Sequence, residues 1–335
     1  MDRRQFLTGA GAGGACAAAT ATAGPADAAL VREPRQMPEG ALGMLVDVTQ
    51  CIGCQACVAA CREENGVEVR DTPYELAGWN AANTSAVALN LDGTTYNVIQ
   101  LWRDGTAEVK DRETDGFGFS KRHCLHCIDP SCVSVCPVTA MIKDPVTGVV
   151  TYEADVCIGC RYCSFGCPFG VPQFDLDVPF GKINKCEMCR DRLPQGLTPA
   201  CCDVCPTGAS LFGPVVELQA EAERRLAAEP GSLYSFPRGD IRGDRSTHEA
   251  PLATYQRHVY GETEVGGTQV RYLSAVPFER LGLPKYGSFA PTRLTEGIQH
   301  TIYQWLIAPI VALVGVSFLV RRNRLRAEAR QEREG

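Results

Sequence analysis

The chain has 335 residues, room for one large domain or two small ones, and a net charge of -6 that gives a nucleic-acid partner no electrostatic support. Charged residues make up 21 % and hydrophobic residues 45 %, an ordinary globular balance. Cysteine is the anomaly: 18 of them require either metal ligation or a disulfide framework, and only their spacing separates the two.

In chain order, the first segment is MDRRQFLTGAGAGGACAAATATAGPADAAL. Its Arg3-Arg4 pair followed by a weakly apolar Gly/Ala run resembles a twin-arginine export signal, predicted to span 1–28 with a small-residue cleavage site at Ala26-Asp27-Ala28 or Ala21-Thr22-Ala23. Gly9, Gly11 and Gly14 match G-x-G-x-x-G, but no strand precedes them, so the match is read as chance. Cys16 falls inside this leader. Met44 to Thr49 and Gly148 to Tyr152 predict short strands, as do Thr94 to Trp102 and Gly267 to Val276, which are β-branched and aromatic. Val216, Leu218, Ala222 and Leu226 predict an amphipathic helix over Val215 to Ala228, stopped near Pro230-Gly231. Tyr234 to Pro291 is rich in Gly, Pro and charge and predicts extended packing and loops. Thr301 to Val320 carries no charge, and such a helix spans roughly 30 Å, about the hydrocarbon thickness. Tyr303 and Trp305 suit one interface, while Arg321, Arg322, Arg324 and Arg326 suit the cytoplasmic one. The two ends predict a main domain (29–296) on the periplasmic face of a bacterial inner membrane, a transmembrane helix (300–321) and a basic cytoplasmic tail (322–335).

The cysteines after Cys16 fall into four groups. Group one is Cys51, Cys54, Cys57 and Cys61, and group three is Cys157, Cys160, Cys163 and Cys167, both spaced C-x2-C-x2-C-x3-C. Group two is Cys124, Cys127, Cys132 and Cys136; group four is Cys186, Cys189, Cys201 and Cys205, with Cys202 left over. Cys201 is chosen over Cys202 because it keeps the C-x3-C step of the other groups. Pro137, Pro168 and Pro206 follow the last cysteine in three groups, where group one has Arg62.

The first three cysteines of such a run converge on one cubane, and the fourth serves the other cluster of a pair. A proline after it suits the first turn of a helix. Gly53 and Gly159 mark where the loop passes close to metal without a Cβ, and Ile52, Ile158 and Val133 are expected to cover the sulfurs. Structural zinc prefers C-x2-C pairs set further apart, and near neighbours do not bridge easily as disulfides. The spacing therefore favours four [4Fe–4S] clusters, with an anchored zinc scaffold as the reading from another class. The expected fold is α+β, a tandem double-cluster ferredoxin-like domain with an insertion at 62–123 and one C-terminal transmembrane helix.

Four ferredoxin motifs, with HCLHCIDPSCVSVCP and KCEMC inside them, resemble the four-cluster electron-transfer subunits of respiratory oxidoreductases. The leader, ALGMLVDVTQCIGCQAC, PGSLYSFPR, GGTQVRYL and the terminal helix after EGIQHTIY resemble, more narrowly, the iron–sulfur subunits of the hydrogenase 2 type. The resemblance implies four ligand sets: Cys51, Cys54, Cys57 and Cys205; Cys186, Cys189, Cys201 and Cys61; Cys124, Cys127, Cys132 and Cys167; Cys157, Cys160, Cys163 and Cys136. It implies a non-catalytic redox subunit with no catalytic residues of its own. The implied partners are the small and large subunits of a nickel–iron hydrogenase and an integral membrane quinone-reducing subunit. The same job for a molybdenum enzyme such as formate dehydrogenase is the alternative. Outside the cysteines, His123 and His126 are candidates for redox tuning or ligand replacement, and His300 for a place near quinone. Lys182, Lys185, Arg161 and Arg190 are candidates for docking or tuning, with a solvated face as the plainer reading. Trp79 and Trp102 read as core.

Overall fold

The computed structural model describes residues 30–67, 91–175, 181, 183–243 and 247–334. The leader at 1–28, with Cys16, and also Trp79, Lys182 and residues 68–90 of the insertion lie outside them.

Residues Glu33–Glu296 form one compact unit. Its centre is β1 (Leu42–Asp47), a strand whose alternation of large apolar side chains serves two cores at once. Met44 and Val46 face the larger core with Tyr272 and Phe212, while Leu45 faces a smaller one with Leu211, Leu218 and Leu273. Later strands join it in the order β11 (Gly239–Asp240), β9 (Ser210–Pro214), β1, β13 (Val270–Leu273), antiparallel to β9 and parallel to β13. The helix Val215–Ala227 covers the smaller core with Leu218 and Ala222, close to the range its periodicity predicts.

Strands also flank the remaining motifs. β2 (Val98–Arg103), β3 (Val109–Lys110) and β4 (Gly116–Arg122) form a small sheet leading into Cys124. β5 (Met141–Lys143) pairs with β6 (Val150–Tyr152) between groups two and three, and β7 (Gln173–Phe174) with β8 (Ile183–Asn184) between groups three and four. β2 starts later than the predicted Thr94 because Asp92 folds the chain back, its carboxylate accepting from the Thr94 N–H at 2.7 Å. β13 is shorter than predicted because Gly266 and Gly267 hold φ of 87° and 89° before it and Ser274 captures the Val276 N–H after it. The stretch expected to be loop contains β10 (Leu233–Phe236) paired with β12 (His248–Pro251).

Four short helices carry cysteines: α1 (Ala56–Glu64), α2 (Ser131–Ser134), α3 (Tyr162–Gly166) and α4 (Ala200–Asp203); Val215–Ala227 is α5. Their placement corrects the expectation for proline. Pro137, Pro168 and Pro206 stand in turns after a helix has ended and do not begin one. Proline lacks an N–H and clashes with the preceding turn, so it stops a helix running from the third cysteine toward the fourth. Group one has Arg62 at that position, and there α1 runs on through Cys61 to Glu64.

From Gly297 the chain belongs to a second unit. The helix α6 (Pro291–Glu334) is longer than the expected span, with Pro309 inside it, and is long and apolar enough by length and composition to cross a membrane. Its apolar side chains, Leu306 to Val320, are exposed.

The turn leading into group one hangs on a buried ion network. Asp47, fully buried, accepts from the Arg225 Nη1 at 2.9 Å, the Tyr255 hydroxyl at 2.7 Å and the Thr49 hydroxyl at 2.6 Å. Arg225 also donates to Glu221 at 2.9 Å and stacks 4.8 Å from the Phe236 ring. Removing one partner of a buried pair leaves a charge uncompensated, so Asp47→Ala is expected to cost about 3 kcal/mol in denaturant unfolding. A loss under about 1 kcal/mol in that measurement would show that Glu221 alone suffices for Arg225.

Candidate iron–sulfur sites

Three local devices aim the sulfurs. The residue just before the second cysteine is left-handed in every group: Gly53 (φ 70°), His126 (φ 48°), Gly159 (φ 70°) and Met188 (φ 56°). In this conformation the backbone N–H turns back on the first cysteine: Gly159 donates to the Cys157 Sγ at 3.4 Å and Met188 to the Cys186 Sγ at 3.4 Å, and Gly53 does the same to Cys51. A second left-handed residue, Gln55 or Arg161, then starts the helix holding the third cysteine. The glycines are therefore explained by φ. At Gly159 a Cβ would meet nothing of the chain within 4 Å, while at Gly53 it would strike the Phe119 ring at 2.5 Å.

Packing then brings distant groups together. Helix α1 packs on α4, and α2 packs on α3. Cys51, Cys54, Cys57 and Cys205 line one cavity of about 390 Å³; this is set A. Cys61, Cys186 and Cys189 share Cys201 as their common neighbour, giving set B. Cys124, Cys127, Cys132 and Cys167 neighbour one another as set C. Cys136, Cys157, Cys160 and Cys163 line a second cavity, of about 290 Å³, as set D. Cys202 is fully buried against Cys201 and Cys205 and belongs to none of these sets.

The sets stand in a row. Cys57 of A neighbours Cys201 of B, Cys186 of B neighbours Cys124 of C, and Cys132 of C neighbours Cys163 of D. Cys54 and Cys160, on the two end sets, are exposed, whereas every sulfur of B and C is buried or half-buried. Ile52 and Ile158 line the end cavities but are 56 % and 65 % exposed, forming a rim and not the expected cover. Val133 is half-buried against Cys132 and Cys136.

Electrostatics follow from burial. Desolvation pushes the Cys51 and Cys189 thiols up to about 11 and those of Cys57 and Cys163 to about 12, and crowding by like sulfurs pushes the same way. Cys201 departs from the pattern: a hydrogen bond from the Cys202 thiol, with the Lys121 ammonium alongside, outweighs burial and holds it below the usual thiol range. Lys121 lines the set A cavity and is 2 % exposed. Burial acts to lower it, but the sulfurs of Cys201, Cys202 and Cys57 outweigh that and hold it well above its usual range.

The other predicted residues divide. His123 and His126 are buried and neutral, His123 being pushed down to about 3 by burial and by Lys121. The His123 Nδ1 donates to the Cys124 carbonyl at 2.8 Å, and the His126 Nδ1 accepts from the Val150 N–H at 3.0 Å. Lys185 is no solvated residue: it is 2 % exposed and donates to the Val150 and Cys186 carbonyls. Arg161 is exposed and lines the set D cavity, and Arg190 pairs with Glu153 at 2.6 Å and Glu187 at 3.3 Å. Trp102 packs against the larger core, and His300 is exposed on α6. Sequence reasoning missed Lys121, because its approach to groups one and four is made only by the packing of β4.

The donor chemistry fits iron–sulfur clusters. Four sulfurs spread around a cavity suit a polynuclear centre, and among the described residues no three His, Cys, Asp or Glu side chains gather closely enough for a single ion. Two families of 4Fe–4S dicluster domain match, one over residues 50–140 and the other over residues 117–215. These features define a ferredoxin-type iron–sulfur protein, which sets aside the zinc scaffold. The hydrogenase-2 operon protein HybA of Escherichia coli O157:H7 is 44 % identical over 328 residues, 96 % of each chain. A nitrate-inducible formate dehydrogenase iron–sulfur subunit of Escherichia coli K12 is 34 % identical over 246 residues, covering 72 % of this chain and 71 % of its own. A formate dehydrogenase iron–sulfur subunit of Haemophilus influenzae is 31 % identical over 272 residues, covering 81 % and 75 %. The chain belongs to the family of iron–sulfur electron-transfer subunits that includes HybA and the formate dehydrogenase iron–sulfur subunits.

The left-handed positions give a test. Gly159→Ala is expected to cost about 1–2 kcal/mol, the strain of a left-handed alanine. Gly53→Ala adds the overlap with Phe119 and is expected to cost more. Thermal unfolding of the two variants checks the order, and equal losses would show that the Phe119 ring moves aside freely.

Proposed function

We propose that the chain is a non-catalytic wire that carries electrons through four [4Fe–4S] clusters between a periplasmic nickel–iron hydrogenase and the membrane quinone pool. The carrying observation is the row of four cysteine sets, buried in the middle and open at both ends. In this reading sets A, B, C and D each hold one cluster, with Cys201 rather than Cys202 as the fourth ligand of B, because Cys61, Cys186 and Cys189 all have Cys201 as neighbour. A bound [4Fe–4S] cluster supplies one-electron oxidation and reduction. The chain supplies the thiolates, turns backbone N–H groups onto the sulfurs, and keeps water from the inner two sets.

The end sets meet partners. Around set D, Ile158, Tyr162 and Phe165 are 65 %, 59 % and 87 % exposed, an apolar rim beside the exposed Cys160. The hydrogenase small and large subunits and an integral membrane quinone-reducing subunit are the proposed partners. Helix α6 anchors the chain in the bacterial inner membrane, with Glu33–Glu296 facing the periplasm after export by the twin-arginine route of residues 1–28. The same wire serving a molybdenum enzyme such as formate dehydrogenase is the second reading. It rests on relatives of lower identity and shorter coverage than HybA.

The purified, anaerobically kept full chain is expected to hold about sixteen iron and about sixteen acid-labile sulfide, four cubanes' worth, with interacting cubane signals after dithionite reduction. Zinc without sulfide would sink the proposal. Cys201→Ser is expected to lower the iron content by up to about four atoms, one cubane, while Cys202→Ser retains the full complement. The reverse result would exchange the two residues' roles.

A further inference from the structure

We infer that Lys121 is a fixed charge set between the first two cluster sites, raising the reduction potentials of both. The inference rests on the four-cluster reading. Lys121 comes from β4, the strand feeding group two, yet its side chain crosses to groups one and four. It forms part of the wall of the set A cavity beside Cys57, and its ammonium neighbours the Cys201 sulfur of set B. Its Nζ also lies 3.1 Å from the Ser210 hydroxyl, on the strand that follows group four. It is 2 % exposed, so water screens it little. Among the described residues no carboxylate pairs with it, so the sulfurs are its counter-charge.

The physical consequence is one-sided. Each one-electron reduction adds a negative charge to a site, and a buried ammonium at the wall stabilises the reduced form. One lysine at the wall of A and beside a sulfur of B acts on both, while C and D lie further along the row. A tenfold change in the reduced-to-oxidised ratio at fixed potential corresponds to about 59 mV for a one-electron couple.

The test is a potentiometric titration of the purified full chain, followed by electron paramagnetic resonance, with iron and sulfide assayed on the same samples. Lys121→Met removes the charge at similar volume and Lys121→Arg retains it. Two of the four cluster potentials are expected to fall in Lys121→Met, each by a tenfold or greater drop in the reduced-to-oxidised ratio. The other two are expected to stay within about threefold, and Lys121→Arg to keep all four near the wild type. A fully loaded Lys121→Met with four unmoved potentials would overturn the inference. So would loss of iron from both Lys121→Met and Lys121→Gln with Lys121→Arg still loaded, which would make the lysine a structural support. Absence of iron from the wild-type chain overturns the cluster reading itself.

Discussion

The structure depends on one constraint: sulfurs that repel one another once ionised must be gathered in fours inside a protein. Burial alone drives Cys51, Cys57, Cys163 and Cys189 toward the neutral thiol, and each close sulfur adds to the cost of a second charge. A site of this kind is incomplete on electrostatic grounds until a cation core neutralises it, so metal binding and folding are coupled. The local backbone is built to the same end. A left-handed residue ahead of each second cysteine turns the loop, and in groups one, three and four it presents an N–H to sulfur, which favours the thiolate without adding net charge.

The fold arranges four copies of this device with little secondary structure. Each group leaves a strand, and each short helix carrying its third cysteine packs on the helix of another group. That packing makes a linear row: α1 on α4 puts group one against group four, α2 on α3 puts group two against group three, and Cys186 meets Cys124 between the pairs. The central strand β1 ties the row to the rest of the unit. Its last residue, Asp47, anchors Arg225 of α5 and caps the turn that delivers Cys51. A buried ion pair is weak evidence for stability as such. Its position here fixes the entry to group one, a registry role.

Much of this was legible in the sequence, for a physical reason. Ligand spacing is a local property, so the four groups read directly, and the strand expected at Met44–Thr49 and the helix expected at Val215–Ala228 fall close to the observed Leu42–Asp47 and Val215–Ala227; the central place of that strand did not read. The parts that did not read are tertiary or conformational. Nothing in the residue type marks His126 or Met188 as left-handed, because the contacts around them impose the conformation: Val150 and Gln269 on His126, the Cys186 sulfur on Met188. The prolines read with the wrong sense: proline is compatible both with a helix start and with a helix stop, and only the helix preceding each fourth cysteine decides. Ile52 and Ile158 are apolar and adjacent to ligands, but adjacency in sequence says nothing about which side of a cluster faces water. Lys121 stands three residues before Cys124 and serves the neighbours of Cys57 and Cys201, a relation created by β4 packing on group one.

The uneven exposure of the row carries the last step. Sulfurs held away from water keep a low local dielectric, in which a nearby charge such as Lys121 or Lys185 acts strongly. The same shielding puts the inner sets out of reach of a partner's redox centre. In the proposed wire the ends resolve this conflict by giving up shielding at one sulfur each, Cys54 and Cys160, with Ile52 exposed beside the first and Ile158, Tyr162 and Phe165 beside the second. A phenylalanine left 87 % exposed beside a ligand loop, as Phe165 is, gives the isolated chain no stability. It becomes useful when a partner covers it, because that contact expels water from the outermost sulfurs. Under the proposed function the end sets acquire the inner sets' environment only where a partner covers them, and the potentials of clusters held there belong to the complex as much as to the chain.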